Sequence, residues 1–92
     1  MHDRDKIIQT ITDVLKKHNI SRASLFGSFA RNEAIINDID LLIENHQLTI
    51  FGLLQLEEEL KNQSGYSFDV VEFSAIKKSM RENVLAEAIS IL

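Results

Sequence analysis

Gly27-Ser28 and Asp38-Ile39-Asp40 are the residues of this sequence best suited to chemistry. Two carboxylates two positions apart at the start of a strand point to one face, with Cα atoms ~6.5–7 Å apart. Such hard, acceptor-only oxygens suit Mg²⁺, which takes one or two carboxylates plus substrate phosphates in preference to an all-protein cage. Gly27-Ser28 leads from an apolar segment into a helix-prone piece, where free backbone N–H groups and the helix dipole favour a phosphate. Gly27 lets the backbone approach that phosphate with no Cβ in the way, and Ser28 offers it a hydroxyl and an N–H. A phosphate cradle followed closely by a metal-binding pair implies metal-assisted chemistry on a nucleoside triphosphate.

Other charged residues bear on the same site. Asp69 lies within Phe68-Asp-Val-Val-Glu-Phe73, an otherwise apolar strand. A carboxylate there is costly if buried and unpaired, so Asp69 either faces water from an edge strand or joins the acidic pair. Glu72 is the rival, but its strand parity places it on the opposite face from Asp69. Arg31, about one turn into the helix after Gly27, either reaches the triphosphate or pairs with an acid such as Glu33 or Asp38. His2, His18 and His46 form no metal-ligand spacing, and no Ser-His-Asp arrangement or cysteine nucleophile is present.

These residues must be held by alternating helices and strands. Residues 3–18 read as a helix with Ile7, Ile8, Ile11, Val14 and Leu15 on one face. Residues 23–26 form a short strand, and 28–34 a short helix with Ser28 at or near its N-cap. Residues 39–44 form the strand that Asp40 opens. Residues 49–61 form a helix capped by Thr49, with Ile50, Leu53, Leu54 and Leu60 as its buried stripe. A turn over 62–65 leads to a strand over 67–73. The last helix is expected to start at Ser74 or Ser79, since Ser79-x-x-Glu82 fits a capping box. Its apolar face runs through Val84, Leu85, Ala88, Ile91 and Leu92, which either packs on the sheet or meets a partner. Phe26, Phe29, Phe51, Phe68 and Phe73 are expected in the core. The pattern predicts an α+β fold, a small mixed sheet covered by helices.

Size and charge narrow the function. Ninety-two residues with no proline, repeat or low-complexity tract make one domain, residues 1–92. A chain this short buries only about 60–65% of its unfolded surface. The absence of cysteine excludes disulfides and thiolate metal sites. No apolar run approaches the ~20 residues needed to span a bilayer, and the polar start argues against a signal peptide. A cytoplasmic protein with no membrane role is expected. The net charge of −4, without a basic stripe, disfavours long nucleic acids as partners. Lys16-Lys17 and Lys77-Lys78 read as solvated helix faces.

Gly27-Ser28, nine intervening residues and Asp38-x-Asp40 resemble the signature of the DNA polymerase β-like nucleotidyltransferase superfamily. The fuller string Gly-Ser-Phe-Ala-Arg…Asp-Ile-Asp-Leu-Leu-Ile is similar to its minimal nucleotidyltransferase (MNT) branch, many of whose members are antitoxins of HEPN–MNT toxin–antitoxin pairs. The sequence departs from the branch at Asn32, where glycine is usual, and at Asn37, where serine is usual. Asparagine tolerates the left-handed backbone region, so Asn32 can replace a turn glycine.

The resemblance implies a polymerase β-like nucleotidyltransferase fold in which Asp38, Asp40 and Asp69 are catalytic and hold two Mg²⁺ ions. Gly27, Ser28 and Arg31 would then bind the triphosphate of ATP. The implied activity is transfer of AMP to a hydroxyl, that of a tyrosine, on a partner HEPN toxin in a hetero-oligomer. Two alternatives stand beside it. One is an MNT-like antitoxin that neutralises its toxin by binding alone, and the other is a nucleotidyltransferase acting on a small molecule.

Overall fold

The computed structural model describes residues 3–35, 37–44 and 48–92. His2 and His46 lie outside the described residues. Helix α1 (Arg4–Lys17) starts where the Asp3 side chain accepts from the Lys6 N–H at 3.2 Å, which satisfies one of the free donors of a helix N-terminus. Its face of Ile7, Ile11, Val14 and Leu15 is buried. Strand β1 (Arg22–Phe26) runs directly into a single helical turn, α2 (Gly27–Ala30). Strand β2 (Asp38–Glu44) precedes α3 (Ile50–Ser64), which Thr49 caps through the Gly52 N–H at 3.1 Å. Gly65, at φ +84°, ends α3 in the left-handed conformation that favours glycine. Strand β3 (Ser67–Glu72), a 3₁₀ turn (Phe73–Ala75), α4 (Lys78–Glu87) and β4 (Ile89–Ser90) complete the chain.

The sheet order is β3-β2-β1-β4, with β2 and β3 parallel and the other pairs antiparallel. This is the small mixed α+β sheet that the sequence pattern predicts. Ile39, Leu41 and Ile43 of β2, Ala23 and Leu25 of β1, and Phe68 of β3 join the buried faces of α1 and α3 in one core. Strand alternation therefore sends Asp38, Asp40 and Asp69 to the other face. At the far end of α1, Lys17 and His18 both meet Glu59 of α3 at 3.1 Å. Their hydrogen bonds, that of Lys17 first, hold the Glu59 carboxyl below its ordinary range. Among the described residues no helix is long and apolar enough to cross a membrane.

Several local expectations need correction. The stripe of α3 that faces the sheet is Leu56 and Leu60 with Leu53 half-buried, whereas Ile50 and Leu54 are 75% and 57% exposed. At 3.6 residues per turn, Ile50 and Leu54 lie about 60–100° round the helix from Leu53. Phe51 is exposed as well, so it is not a core aromatic. Helix α3 also continues to Ser64 through the expected turn, and β3 gives way to the 3₁₀ turn at Phe73.

Ser28 is not an N-cap. Phe26 holds that position without a side-chain bond, and α2 stops at Ala30 instead of 34. Neither Ser74 nor Ser79 caps the last helix, because Lys77 precedes it and Ser79 sits inside its first turn. That helix has no buried residue. After it, the chain turns extended and pairs Ile89 with Leu25 and Ser90 with Ser24. Ile91 and Leu92 then pack against the core from an extended tail, while Leu85 stays exposed.

The rotation of α3 can be checked directly. Leu56→Ala should lose about 2–5 kcal/mol through lost burial and the cavity left behind. Leu54→Ala should change stability by less than ~0.5 kcal/mol, as at an exposed position. Urea unfolding of both variants measures the difference, and equal losses would contradict this packing.

Candidate active site

Asp40 lies on the central strand of three, with Phe26 of β1 as its Cα partner on one side and Asp69 of β3 on the other. Neighbouring strands stand about 4.8 Å apart, so the parallel register sets the two carboxylates side by side. Asp38 precedes Asp40 by two residues on the same face, opposite Ser67. Asp38 and Asp69 are exposed and Asp40 is half-buried. Asp69 thus does two things that the sequence left as alternatives: it faces water from an edge strand, and it joins the acidic pair. On that outer edge the Glu57 side chain of α3 accepts from the Val70 N–H at 2.9 Å.

The turn after β1 closes over Asp40. Gly27 adopts φ +73°, and a Cβ at that position would stand 2.1 Å from Asp40 Oδ2 and 3.1 Å from its Cγ. Both the left-handed backbone and this approach require glycine. The reason for glycine is therefore first the Asp40 carboxylate, where the sequence alone suggested room for a phosphate. Ser28 follows in the first turn of α2, whose leading N–H groups have no intrahelical carbonyl to meet.

Charge accumulates at Asp40. Partial burial raises its pKa, the negative charges of Asp69 and then Asp38 raise it further, and only Arg31 opposes them. Arg31 is exposed and pairs with Glu33 at 2.6 Å and with Glu87 of α4 at 3.2 Å. Those pairs, Glu33 foremost, raise the guanidinium pKa. Arg31 therefore stands near enough to act on Asp40, while its own donors are held by two glutamates. Glu87 carries no sequence signal for this contact, which spans 56 positions.

Hard carboxylate oxygens, crowded and short of positive charge, suit a hard divalent cation such as Mg²⁺. Among the described residues, no group of three or more acids or histidines is arranged so that it could hold a metal ion by itself. The donor set fits an open site instead, one that substrate phosphates would complete.

A profile described as polymerase beta, nucleotidyltransferase matches residues 9–92. The chain belongs to this nucleotidyltransferase family. A Methanocaldococcus jannaschii protein named "Putative protein adenylyltransferase" is 36% identical over 90 residues, covering 96% of this chain and 97% of that protein. A solved structure described as a "putative minimal nucleotidyltransferase" superposes with a TM-score of 0.81 at 29% identity, over 96% of this chain and 95% of that one. The same fold appears in a Shewanella oneidensis complex of tri-AMPylated HEPN toxin with MNT antitoxin. There the TM-score is 0.78 at 16% identity, over 98% of this chain and 72% of that one. The nucleotidyltransferase fold and membership expected from Gly27-Ser28 and Asp38-x-Asp40 are thereby established.

Two consequences for stability follow. A carboxyl whose pKa is raised on folding weakens the fold above that raised value. The lost stability returns as pH falls through it toward and below the ordinary 3.8. Asp40→Asn should accordingly stabilise the metal-free protein at neutral pH, by no more than about 1 kcal/mol given its partial exposure, and so raise its melting temperature. The gain should vanish near pH 3; a variant less stable than the parent at pH 7 would contradict the crowding. Gly27→Ala should lose roughly 1–3 kcal/mol from backbone strain and displace the Asp40 carboxylate, which calorimetric melting and side-chain NMR shifts would register.

Proposed function

We propose that this nucleotidyltransferase is an MNT antitoxin that transfers AMP from ATP to a tyrosine hydroxyl of a partner HEPN toxin. The observation that carries this reading is the register that sets Asp40 beside Asp69, with Asp38 on the same face and Gly27 against Asp40. In this reading Asp38, Asp40 and Asp69 would hold the Mg²⁺ ions. When bound, the ions neutralise the triphosphate and ease loss of the acceptor proton.

The remaining steps belong to the chain. Ser28 and the start of α2 orient the α- and β-phosphates, and Arg31 exchanges a glutamate partner for a phosphate oxygen. Asp69, exposed on the edge strand, accepts the proton of the incoming hydroxyl. The hydroxyl oxygen then bonds to the α-phosphorus in line, the bond from that phosphorus to the bridging oxygen breaks, and pyrophosphate leaves with the electron pair. No covalent enzyme intermediate is needed, so catalysis rests on positioning and charge neutralisation. The exposure of Asp38 and Asp69 supports a macromolecular acceptor, because both can be reached without entering a deep cavity. The relative named as a protein adenylyltransferase supports the same class of acceptor.

Incubation of the protein with the cognate HEPN toxin, ATP and Mg²⁺ should add one or more AMP units to the toxin, visible by intact-mass spectrometry. Asp40→Asn should slow this by on the order of 100-fold or more, as for loss of other preorganised charge-stabilising groups. EDTA should abolish it. A toxin that is inhibited in a stable complex but unchanged in mass would favour neutralisation by binding alone. A toxin that neither binds nor gains mass would move the acceptor to a small molecule.

A further inference from the structure

Arg4 lies 25 positions before Phe29, in the first turn of α1, yet its guanidinium reaches the end of α2. It donates to the Phe29 carbonyl and, at 3.5 Å, to the Ala30 carbonyl. Its carbon centre also stands 4.6 Å from the centroid of the fully buried Phe29 ring. These contacts answer a specific weakness of α2. A helix of four residues is far below the length that is stable alone, and no side chain caps its start. The residues that follow it, 31–35, are exposed, and Asn32 turns the chain away at φ +58°. What locates α2 is the burial of Phe29 and Ala30 together with Arg4. A cation at the last carbonyls also meets the negative end of the turn, and the planar guanidinium can serve two acceptors at once.

The other end of α1 is tied independently to α3 through Glu59. Arg4 is therefore mounted on an element whose position does not depend on the site. Gly27, at the start of the clamped turn, rests against Asp40. We infer that Arg4 is a positioning residue: by gripping the carbonyl end of α2 it fixes Gly27 and Ser28 relative to the acidic cluster, and so sets how well the triphosphate of ATP is held. This rests on the nucleotide-binding role proposed for that turn. Arg4 does not touch the substrate; it acts through the backbone of α2.

The test uses the full-length protein with Arg4→Met, which keeps the aliphatic stem over Phe29, and Arg4→Lys, which keeps the charge but loses the two-pronged donor. Two quantities are read: amide NMR shifts of Gly27 and Ser28 without nucleotide, and calorimetric ATP affinity with Mg²⁺. Arg4→Met should shift both amides and weaken ATP binding by roughly tenfold, with circular dichroism unchanged. Arg4→Lys should fall between it and the parent. Both amides staying in place, with ATP affinity unchanged in folded Arg4→Met, would overturn the inference. Loss of the fold in both variants would also overturn it, leaving Arg4 as general support. If the parent itself binds no ATP, the proposed nucleotide site fails instead, and the amide shifts alone decide the clamp.

Discussion

The contact between the Gly27 backbone and the Asp40 carboxylate is the constraint on which the site depends. It requires β1 and β2 to pair so that Phe26 faces Asp40, because only then does the turn out of β1 descend on that carboxylate. It requires a residue without a Cβ, in a left-handed conformation. The parallel pairing of β2 with β3 then adds Asp69 from the opposite side. The backbone turn, the central acid and the edge acid thus come from three adjacent strands and cannot be moved separately. Everything beneath them, from Ile39 and Leu41 to Leu56 and Leu60, serves to keep that pairing.

Such an arrangement works against the stability of the domain that holds it. Three like charges gather on one face, and the central one is partly withdrawn from water. The fold tolerates this because the other face of the same strands is a dry, apolar layer under α1 and α3, and because the crowding is confined to the first halves of β2 and β3. Strain and charge gathered at one place and offset by packing elsewhere are general marks of functional sites. Arg31 relieves part of the crowding, but it is shared with Glu33 and Glu87, so much negative charge is left for a cation to meet.

Much of this was readable from the residues because the relevant rules are local. A two-residue spacing in a strand fixes a shared face, which is why Asp38 and Asp40 could be paired, and parity separates Asp69 from Glu72. Asn32 adopts the positive φ expected of a glycine substitute. What escaped depended on distant partners. Apolar residues nearly encircle the start of α3, so its burial could not be oriented until the sheet was in place. The two-residue strand β4 follows a helix-favouring Leu85-Ala-Glu-Ala88, and only pairing with β1 draws it out. Arg4 and Glu87 reach the site across long stretches of chain, and no spacing rule connects residues so far apart.

The bond from Glu57 to the Val70 N–H reconciles two demands on β3. A strand bearing a solvent-facing acid lies open at the margin of the sheet, and an open margin invites other chains to add their own strands. Glu57 occupies a backbone donor on that margin from the side and adds a negative charge next to it. A stray strand therefore meets a blocked donor and an unfavourable potential, while Asp69, projecting from the sheet face, stays accessible. The domain can present Asp69 at its rim without offering that rim as a template for aggregation.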